Sequence, residues 1–364
     1  MSTKTTTNRE ALVKVAALVR PALASQAYIP ALNNILFDGD YATAYNDISA
    51  ISVRVKLELE CSVPGELLIR ALGSFGSEQI LFQPVAGAGM VLSSGRSKIK
   101  LPTLPVEAFP FEWPDEKTVD GEIELDAGVL KGIERCLISV GNDPTHPAQM
   151  GVTLDVDTKG RAVLFSTDNF TISRFQTKTK VKLPGDTPII LPRFFCEQLV
   201  TLSKAFPEDE LTLALFAGAL QVDIGKSAKL FTKTPVDLEP LDFPKIVAKH
   251  CDVGQVAELL AVIPDSFDAA FGRALLVLSG EMDKATKVTL DDGFIKLSSS
   301  SSMGDSDDSL KYDDGGETHE PFHIDPSLVA RASKSCAQVG FAGRVMVLAD
   351  ADANFLHLIA FCSV

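Results

Sequence analysis

The five histidines, His146, His250, His319, His323 and His357, are the first places to look for acid–base or metal chemistry. Only His319 and His323 stand at the four-residue spacing that sets two imidazoles on one helical face. Pro321 between them breaks such a helix, so surface residues are expected and a zinc hydrolase is not. Asp305, Asp307, Asp308, Asp313 and Asp314 form a carboxylate cluster that could attract calcium, but it lacks the ligand rhythm of an EF-hand loop. Cys61, Cys136, Cys196, Cys251, Cys336 and Cys362 are scattered with no C-x-x-C pair, which fits buried thiols in a reducing compartment better than a zinc or redox centre. Glycine-rich phosphate loops and a G-x-S-x-G nucleophile elbow are absent from the sequence, and Gly87-Ala88-Gly89 reads as a hairpin turn. Neither a catalytic apparatus nor a cofactor or metal is expected.

The remaining chemistry is ionic. Over the stretches read below as helices, Arg9, Lys14, Arg20, Arg70, Lys131, Arg135, Arg193, Lys204, Arg273, Arg331 and Lys334 stand against Glu10, Glu66, Asp126, Glu134, Glu197, Asp265 and Asp268, a surplus of four positive charges. The chain as a whole carries −14, so about −18 lies elsewhere. An acidic total argues against a protein that grips nucleic-acid phosphates, but tolerates one that surrounds DNA loosely with a basic inner surface. Polar helix faces are charged in most soluble proteins, so the count alone does not separate these readings.

Positioning such residues requires a scaffold, and 364 residues with 46% apolar and 23% charged side chains suffice for two or three folded domains. No apolar run approaches the ~18 residues of a membrane helix, and the polar start Met1 to Thr7 has no signal core; a cytoplasmic protein without membrane contact is expected. Amphipathic helices are predicted after Asn8 (Leu12, Val15, Ala16, Val19), after Asp126 (Val129, Leu130, Ile133, Leu137) and after Pro264-Asp265 (Phe267, Phe271, Ala274, Leu275, Leu278). A second set begins at Val63-Pro64, Leu191-Pro192 and Asp325-Pro326, with proline at the first turn. Alternating strands follow each helix, among them Val53 to Leu59, the hairpin around Asp157-Thr158-Lys159-Gly160 and the hairpin around Asp291-Asp292-Gly293. Each third therefore reads helix, strands, helix, strands, giving an α+β fold of six helices and six short antiparallel sheets. Linkers are expected near Phe111 to Glu116 and Lys245 to Val253, and Ser298 to Ser302 with the acidic Asp305 to Glu320 reads as a solvated excursion.

Ser94 to Pro105 reads as a basic edge strand, Ile99 and Leu101 alternating with Lys98 and Lys100 before Pro102 stops the pairing. Together with Ile29 to Leu36, Asp126 to Leu137, Gly151 to Leu154, Ser166-Thr167-Asp168, Phe243-Pro244, Val288 to Leu290, Asp292-Gly293 and Leu328, in that order and spacing, it resembles the bacterial-type DNA sliding clamp. The resemblance implies three repeated clamp domains, 1–118, 119–248 and 249–364, each of two helices packed on two antiparallel sheets, closing as a two-subunit ring of six domains. It implies a homodimer that encircles duplex DNA without sequence preference, is opened by an ATP-dependent clamp loader and tethers the replicative DNA polymerase, catalysing nothing itself. An open domain edge needs a partner strand, and closure by two-fold symmetry supplies one.

By the same resemblance, a partner-peptide cleft between the second and third domains is formed by Thr167, Asn169, Phe170, Thr171, Ile172, Pro244, Ala248, Asp325, Leu328, Leu358, Ala360, Phe361 and Val364. Arg20, Gln26, Arg70, His146, Gln149, Arg193, Lys204 and Lys334 would face DNA, and Ile99 and Leu101 would meet Val277 and Leu278 of a second copy. The chain departs from the family at Asn169-Phe170-Thr171-Ile172, where Gly-His-Arg-Leu is usual, and at Ala360 to Val364, where Met-Pro-x-Arg-Leu is usual. A cleft that loses two cations should prefer other partner peptides, as a virus-encoded clamp serving its own polymerase would. The rival reading is a clamp-fold adaptor between proteins that does not encircle DNA.

Overall fold

Side chains cap some of the helix starts as the sequence suggests, but Pro64 and Pro192 end strands rather than sitting in a first helical turn, and the helix after Pro264-Asp265 follows Ser266 with no side-chain cap. In the computed structural model, which describes residues 5–25, 28–85, 89–235, 238–250, 256, 258–282, 284–312 and 320–362, α1 (Arg9–Val19) opens where Asn8 Oδ1 accepts the Ala11 N–H at 3.0 Å and buries Leu12, Ala16 and Val19. α2 (Gly65–Ser74), α3 (Ala127–Cys136) and α4 (Arg193–Ala205) follow at the expected places. α5 (Phe243–Ala248) occupies the start of the stretch read as a linker: Asp242 accepts the Lys245 N–H at 3.0 Å and Pro244 sits in the first turn. α6 (Phe267–Val277) and α7 (Pro326–Ala332) follow, α7 capped by Asp325, which accepts the Ser327 N–H at 2.7 Å. Among the described residues no helix is long and apolar enough to cross a membrane. Gln26, Gly87, Ala88, Cys251, Asp313, Asp314, His319 and Val364 lie outside the described residues.

The strands are β1 (Thr5–Asn8), β2 (Asn34–Tyr45), β3 (Ser49–Pro64), β4 (Gln79–Val85), β5 (Gly89–Ser94), β6 (Ser97–Pro102) and β7 (Gly121–Glu124). Next come β8 (Gly151–Val156), β9 (Arg161–Thr167), β10 (Thr171–Lys180), β11 (Ile189–Pro192), β12 (Leu211–Phe216), β13 (Ala219–Ile224) and β14 (Ala228–Lys233). The last are β15 (Ala261–Val262), β16 (Thr286–Asp291), β17 (Phe294–Ser301), β18 (Gly304–Lys311), β19 (Phe322–Ile324), β20 (Gln338–Ala342), β21 (Val345–Ala349) and β22 (Phe355–Ala360).

Contacts divide the chain into two compact units, Met1–Asp126 with Phe194–Asp237, and Ala127–Arg193 with Leu238–Val364. The first holds two antiparallel sheets, β1-β4-β5-β6 and β2-β3-β14-β13-β12-β7. The second holds β11-β8-β9-β10-β22-β21-β20-β15 and β18-β17-β16-β19. Sheets expected singly are thus joined in pairs, giving four sheets among the described residues. Ala228 to Thr232 of β14 pair with Val53 to Ser49 of β3, and Thr171 to Phe175 of β10 with Ile359 to Phe355 of β22. Each junction satisfies backbone groups that two separate edges would leave open. This is also why the units cut through the middle third of the chain.

From Ser298 to Lys311 the serine and aspartate stretch is strand rather than a solvated excursion: β17 and β18 form a hairpin, Ser298 opposite Asp307. Ile295, Leu297 and Ser299 point inward at every second residue, and the Ser299 hydroxyl meets Thr286 Oγ1 at 3.0 Å. Period-two alternation decides the structure there in spite of the polar composition. Asp308 is held by Arg273 of α6, at 2.5 Å from Nη2, and this contact raises the affinity of the guanidinium for its proton.

Candidate partner cleft and nucleic-acid face

The eight-stranded sheet of the second unit presents two apolar faces, because alternate residues of each strand point to opposite sides. On one side Val163, Phe165, Ile172, Val347 and Leu358 pack with Phe243 and Val247 of α5 in one cluster. Phe165 and Phe243 stack with centroids 5.0 Å apart and planes at 9°. On the other side Met346, Leu348 and Ile359 pack with α6 and α7 through Phe271, Leu328 and Val329.

This division sorts the residues assigned to the cleft by resemblance. Ile172 and Leu358 are opposite each other in the β10–β22 ladder and belong to the α5 side. Pro244 and Ala248 project from α5 into a pocket of about 690 Å³ on that same side, whose walls include Val163, Phe165, Arg174 and Val247. Leu328 and Phe361 belong to the opposite side, where Phe361 stacks on Phe322 at 3.8 Å, and Asp325 serves as the α7 cap.

Thr167, Asn169, Phe170 and Thr171 build the β9–β10 turn. Asp168 Oδ1 accepts the N–H groups of Phe170 (3.1 Å) and Thr171 (2.7 Å) and the Thr171 hydroxyl (2.8 Å). Asn169 takes the left-handed conformation, φ 71°, which asparagine tolerates better than most residues other than glycine. Phe170 is left 66% exposed, and its carbonyl accepts the Ala360 N–H at 2.9 Å.

Sequence reasoning missed Asp155, Val163, Phe165, Arg174 and Val247. A signal for Arg174 existed: it occupies the period-two slot shared with Ile172, a cation on an apolar face. Its neighbours across the sheet are Phe165 and Leu356. It is half-buried, and burial works against its charge while Asp157 supports it. Asp157 is itself fully engaged. Its carboxyl is drawn down to about 2, first by the Arg161 N–H, then by the Arg161 side chain and the Lys159 N–H.

The basic residues assigned to DNA are distributed over both units. In the first, Arg20 forks onto the Glu66 carboxylate at 2.7 and 3.2 Å, and Arg70 Nε donates to the Glu66 carbonyl at 3.3 Å. Both line a concavity of about 540 Å³, and Lys204 is exposed near the end of α4. In the second, His146 lies 3.2 Å from Asp143, whose carboxyl is held below the usual range mainly by the N–H and hydroxyl of Thr145 and then by His146. Gln149 Nε2 donates to Asn169 Oδ1 at 2.7 Å, Arg193 Nη2 donates to the Val140 carbonyl at 2.5 Å, and Lys334 is exposed just after α7. Exposed, tethered cations of this kind contact phosphates weakly and are screened by salt.

Of the four residues assigned to subunit contact, Ile99 and Val277 are half-exposed, while Leu101 and Leu278 are buried within the chain. Alternation indicates which face is apolar, not whether the chain's own core already fills it. Leu276, beside Val277, is 74% exposed. β6 and β18 each stand at an edge of their sheet, β6 offering Lys98 and Lys100, β18 offering Asp305 and Asp307, all exposed.

Among the described residues no group of three or more histidine, cysteine, aspartate or glutamate side chains is placed to hold a metal ion. No protein-family model matches the chain. It is 25% identical over 307 residues to the beta sliding clamp of Vibrio cholerae, covering 81% of this chain and 80% of that one. To the beta sliding clamp of Pseudomonas putida it is 24% identical over 304 residues, covering 80% and 79%. Its fold matches the crystal structure of the Caulobacter crescentus beta sliding clamp at a TM-score of 0.85 with 19% identity, over 100% of this chain and 99% of that one. It matches the DNA polymerase III beta subunit of Thermotoga maritima at 0.84 with 16% identity, over 99% of each.

Proposed function

We propose that this chain, a sequence relative of the bacterial beta sliding clamps that shares their fold, is a DNA sliding clamp, the processivity factor of a replicative polymerase. The observation that carries this reading is similarity over the whole length: four fifths of the sequence aligns with a beta sliding clamp and the entire chain follows the clamp fold. Two copies close as a ring around duplex DNA, an ATP-dependent loader opens the ring, and the clamp holds the polymerase near the primer end without chemistry of its own. Topology does the work of affinity: a closed ring cannot leave sideways, so weak phosphate contacts permit sliding while the tether keeps the polymerase at high effective concentration. The chain acts in the cytoplasm and is organised as clamp domains 1–118, 119–248 and 249–364, joined by the two continuous sheets.

The pocket beside α5 is the partner-peptide cleft. Pro244 and Ala248 give it apolar surface, and Ile172 and Leu358 pack on the same side of the sheet. The ring closes where β6 of one copy meets β18 of the next. Lys98 and Lys100 there oppose Asp305 and Asp307, and Ile99 meets Leu276 and Val277. Arg20, Arg70, His146, Gln149, Arg193, Lys204 and Lys334 supply loose DNA contacts.

Retention on DNA tests this reading. Loaded onto nicked circular DNA by a clamp loader, the protein should stay bound through gel filtration and be released when the circle is cut. Equal loss from circular and linear DNA would refute encirclement and leave an adaptor at most.

A further inference from the structure

We propose that the six-stranded sheet carries a second peptide-binding site, which the chain keeps filled with its own residues 111–113; the proposal rests on reading the pocket beside α5 as the partner-peptide cleft. The β3–β14 seam of the first unit repeats the β10–β22 seam of the second. In the β2–β3 turn Asn46 Oδ1 accepts the N–H groups of Ile48 (3.1 Å) and Ser49 (2.8 Å), as Asp168 Oδ1 does for Phe170 and Thr171. Asp47, φ 79°, stands in the turn where Asn169 does. Ile48 is 59% exposed in the place of Phe170, and its carbonyl accepts the Lys233 N–H at 2.9 Å, as that of Phe170 accepts the Ala360 N–H. Ala50 then pairs with Phe231 where Ile172 pairs with Leu358. A Phe-Pro pair enters each seam, Phe109-Pro110 and Phe243-Pro244, and each phenylalanine is buried against it.

What lies on top of the two seams differs. At Pro244 the chain turns into α5, and a pocket of about 690 Å³ stays open beside it. No helix follows Pro110, and Phe111 and Trp113 lay their rings on the seam instead. Phe111 packs on Tyr45 with centroids 4.6 Å apart and on Phe231 at 5.3 Å. Trp113 meets Phe111 edge-on at 4.9 Å and Phe231 at 6.5 Å. Lys229 lies over the Trp113 ring at 5.8 Å and Lys233 over Tyr45 at 5.7 Å, and Asp223 and Asp47 already answer their charges at 3.5 and 3.4 Å. Recognition on this surface is therefore aromatic rather than ionic. Phe111 and Trp113 are only half-buried, so they sit on the sheet as an occupant does. A short peptide with two aromatic side chains two residues apart would make the same contacts from another chain. It must compete with a segment that its tether holds at high effective concentration.

The test uses the full chain and a decapeptide that carries Phe and Trp two residues apart among glycines and serines, with a counterpart bearing Ala at both positions as the blank. Hydrogen exchange over a peptide titration gives both place and affinity: protection of residues 49–53 and 228–232 marks the filled site, and protection of 171–175 and 355–359 marks the cleft. The double variant Phe111→Ser, Trp113→Ser removes the chain's own occupant. In it the aromatic peptide should protect the first pair of segments and bind there at least tenfold more tightly than in the native chain, whose own segment competes. No protection there, protection equal to that in the native chain, or equal protection by the blank would overturn the proposal. If the double variant misfolds, Trp113→Ser alone, which leaves Phe109 and Phe111 in place, decides by the same comparison. Protection of 171–175 and 355–359 in the native chain is read separately. Its absence counts against the cleft, and its presence keeps the cleft whatever the first pair of segments does.

Discussion

His357 gives a pH dependence whose size follows from its surroundings. It lies on β22 opposite Ser173, is 1% exposed, and its Nδ1 meets Ser173 Oγ at 2.9 Å and Ser139 Oγ at 3.3 Å. Nε2 is buried without a hydrogen-bond partner, so a proton there would be neither solvated nor paired. Burial, and then the Arg331 charge, push the imidazole down to about 3 from its ordinary 6.5. Between those two values the unfolded chain takes up a proton that the native chain refuses. Stability is therefore complete above pH 6.5 and declines as pH falls toward 3, at about 1.4 kcal/mol per pH unit. From pH 7 to pH 5 the loss is about 2 kcal/mol, or about 25-fold in the opening equilibrium. Hydrogen exchange of the amides of residues 355–360 measures it, with His357→Asn as the reference. Asparagine keeps a polar atom for Ser173 but does not titrate, and comparison at each pH cancels both intrinsic exchange rates and the titration of every other group. The protection of native chain relative to variant should drop about 25-fold between pH 7 and pH 5. A ratio that does not change with pH would mean that the native imidazole accepts its proton readily, and would refute the account of a dry, unpartnered site.

Ile99→Asp should raise the dimer dissociation constant at least tenfold by removing apolar contact and adding a carboxylate opposite Asp305 and Asp307; a full dimer by light scattering at low nanomolar concentration would contradict the pairing of β6 with β18. Gly151→Ala should destabilise the second unit by about 2 kcal/mol in urea melts, because a Cβ there would run into the Leu191 carbonyl of β11, a backbone atom that cannot turn aside.

Local signals made the helices legible. Asn8, Pro326 in the first turn of α7, and the 3.6-residue spacing of Leu12, Ala16 and Val19 lie close to the structure they set and act where they stand. The merging of sheets was not legible, because Val53 meets Ala228 and Phe175 meets Phe355, pairings that no short-range pattern encodes. Resemblance places thirteen residues in one cleft, whereas the strand alternation that sends Ile172 and Leu358 to the α5 side, with Pro244 and Ala248, leaves Leu328 of α7 on the opposite face of the sheet. The place of Arg174 in the pocket wall was not legible either, because its neighbours Phe165 and Leu356 come from strands distant in the chain or across a turn.

The joined sheets also set a timetable for synthesis. When the first third has emerged from the ribosome, the outer edge of β3 at Ser49 to Val53 has no ladder partner, and β14 follows about 180 residues later. The edge of β10 at Thr171 to Phe175 waits about as long for β22. At roughly 5–20 residues per second each edge stays open for on the order of ten seconds or more. The nascent chain thus carries an adhesive strand through most of its translation, and that strand is a natural place for a chaperone to hold it or for neighbouring nascent chains to tangle.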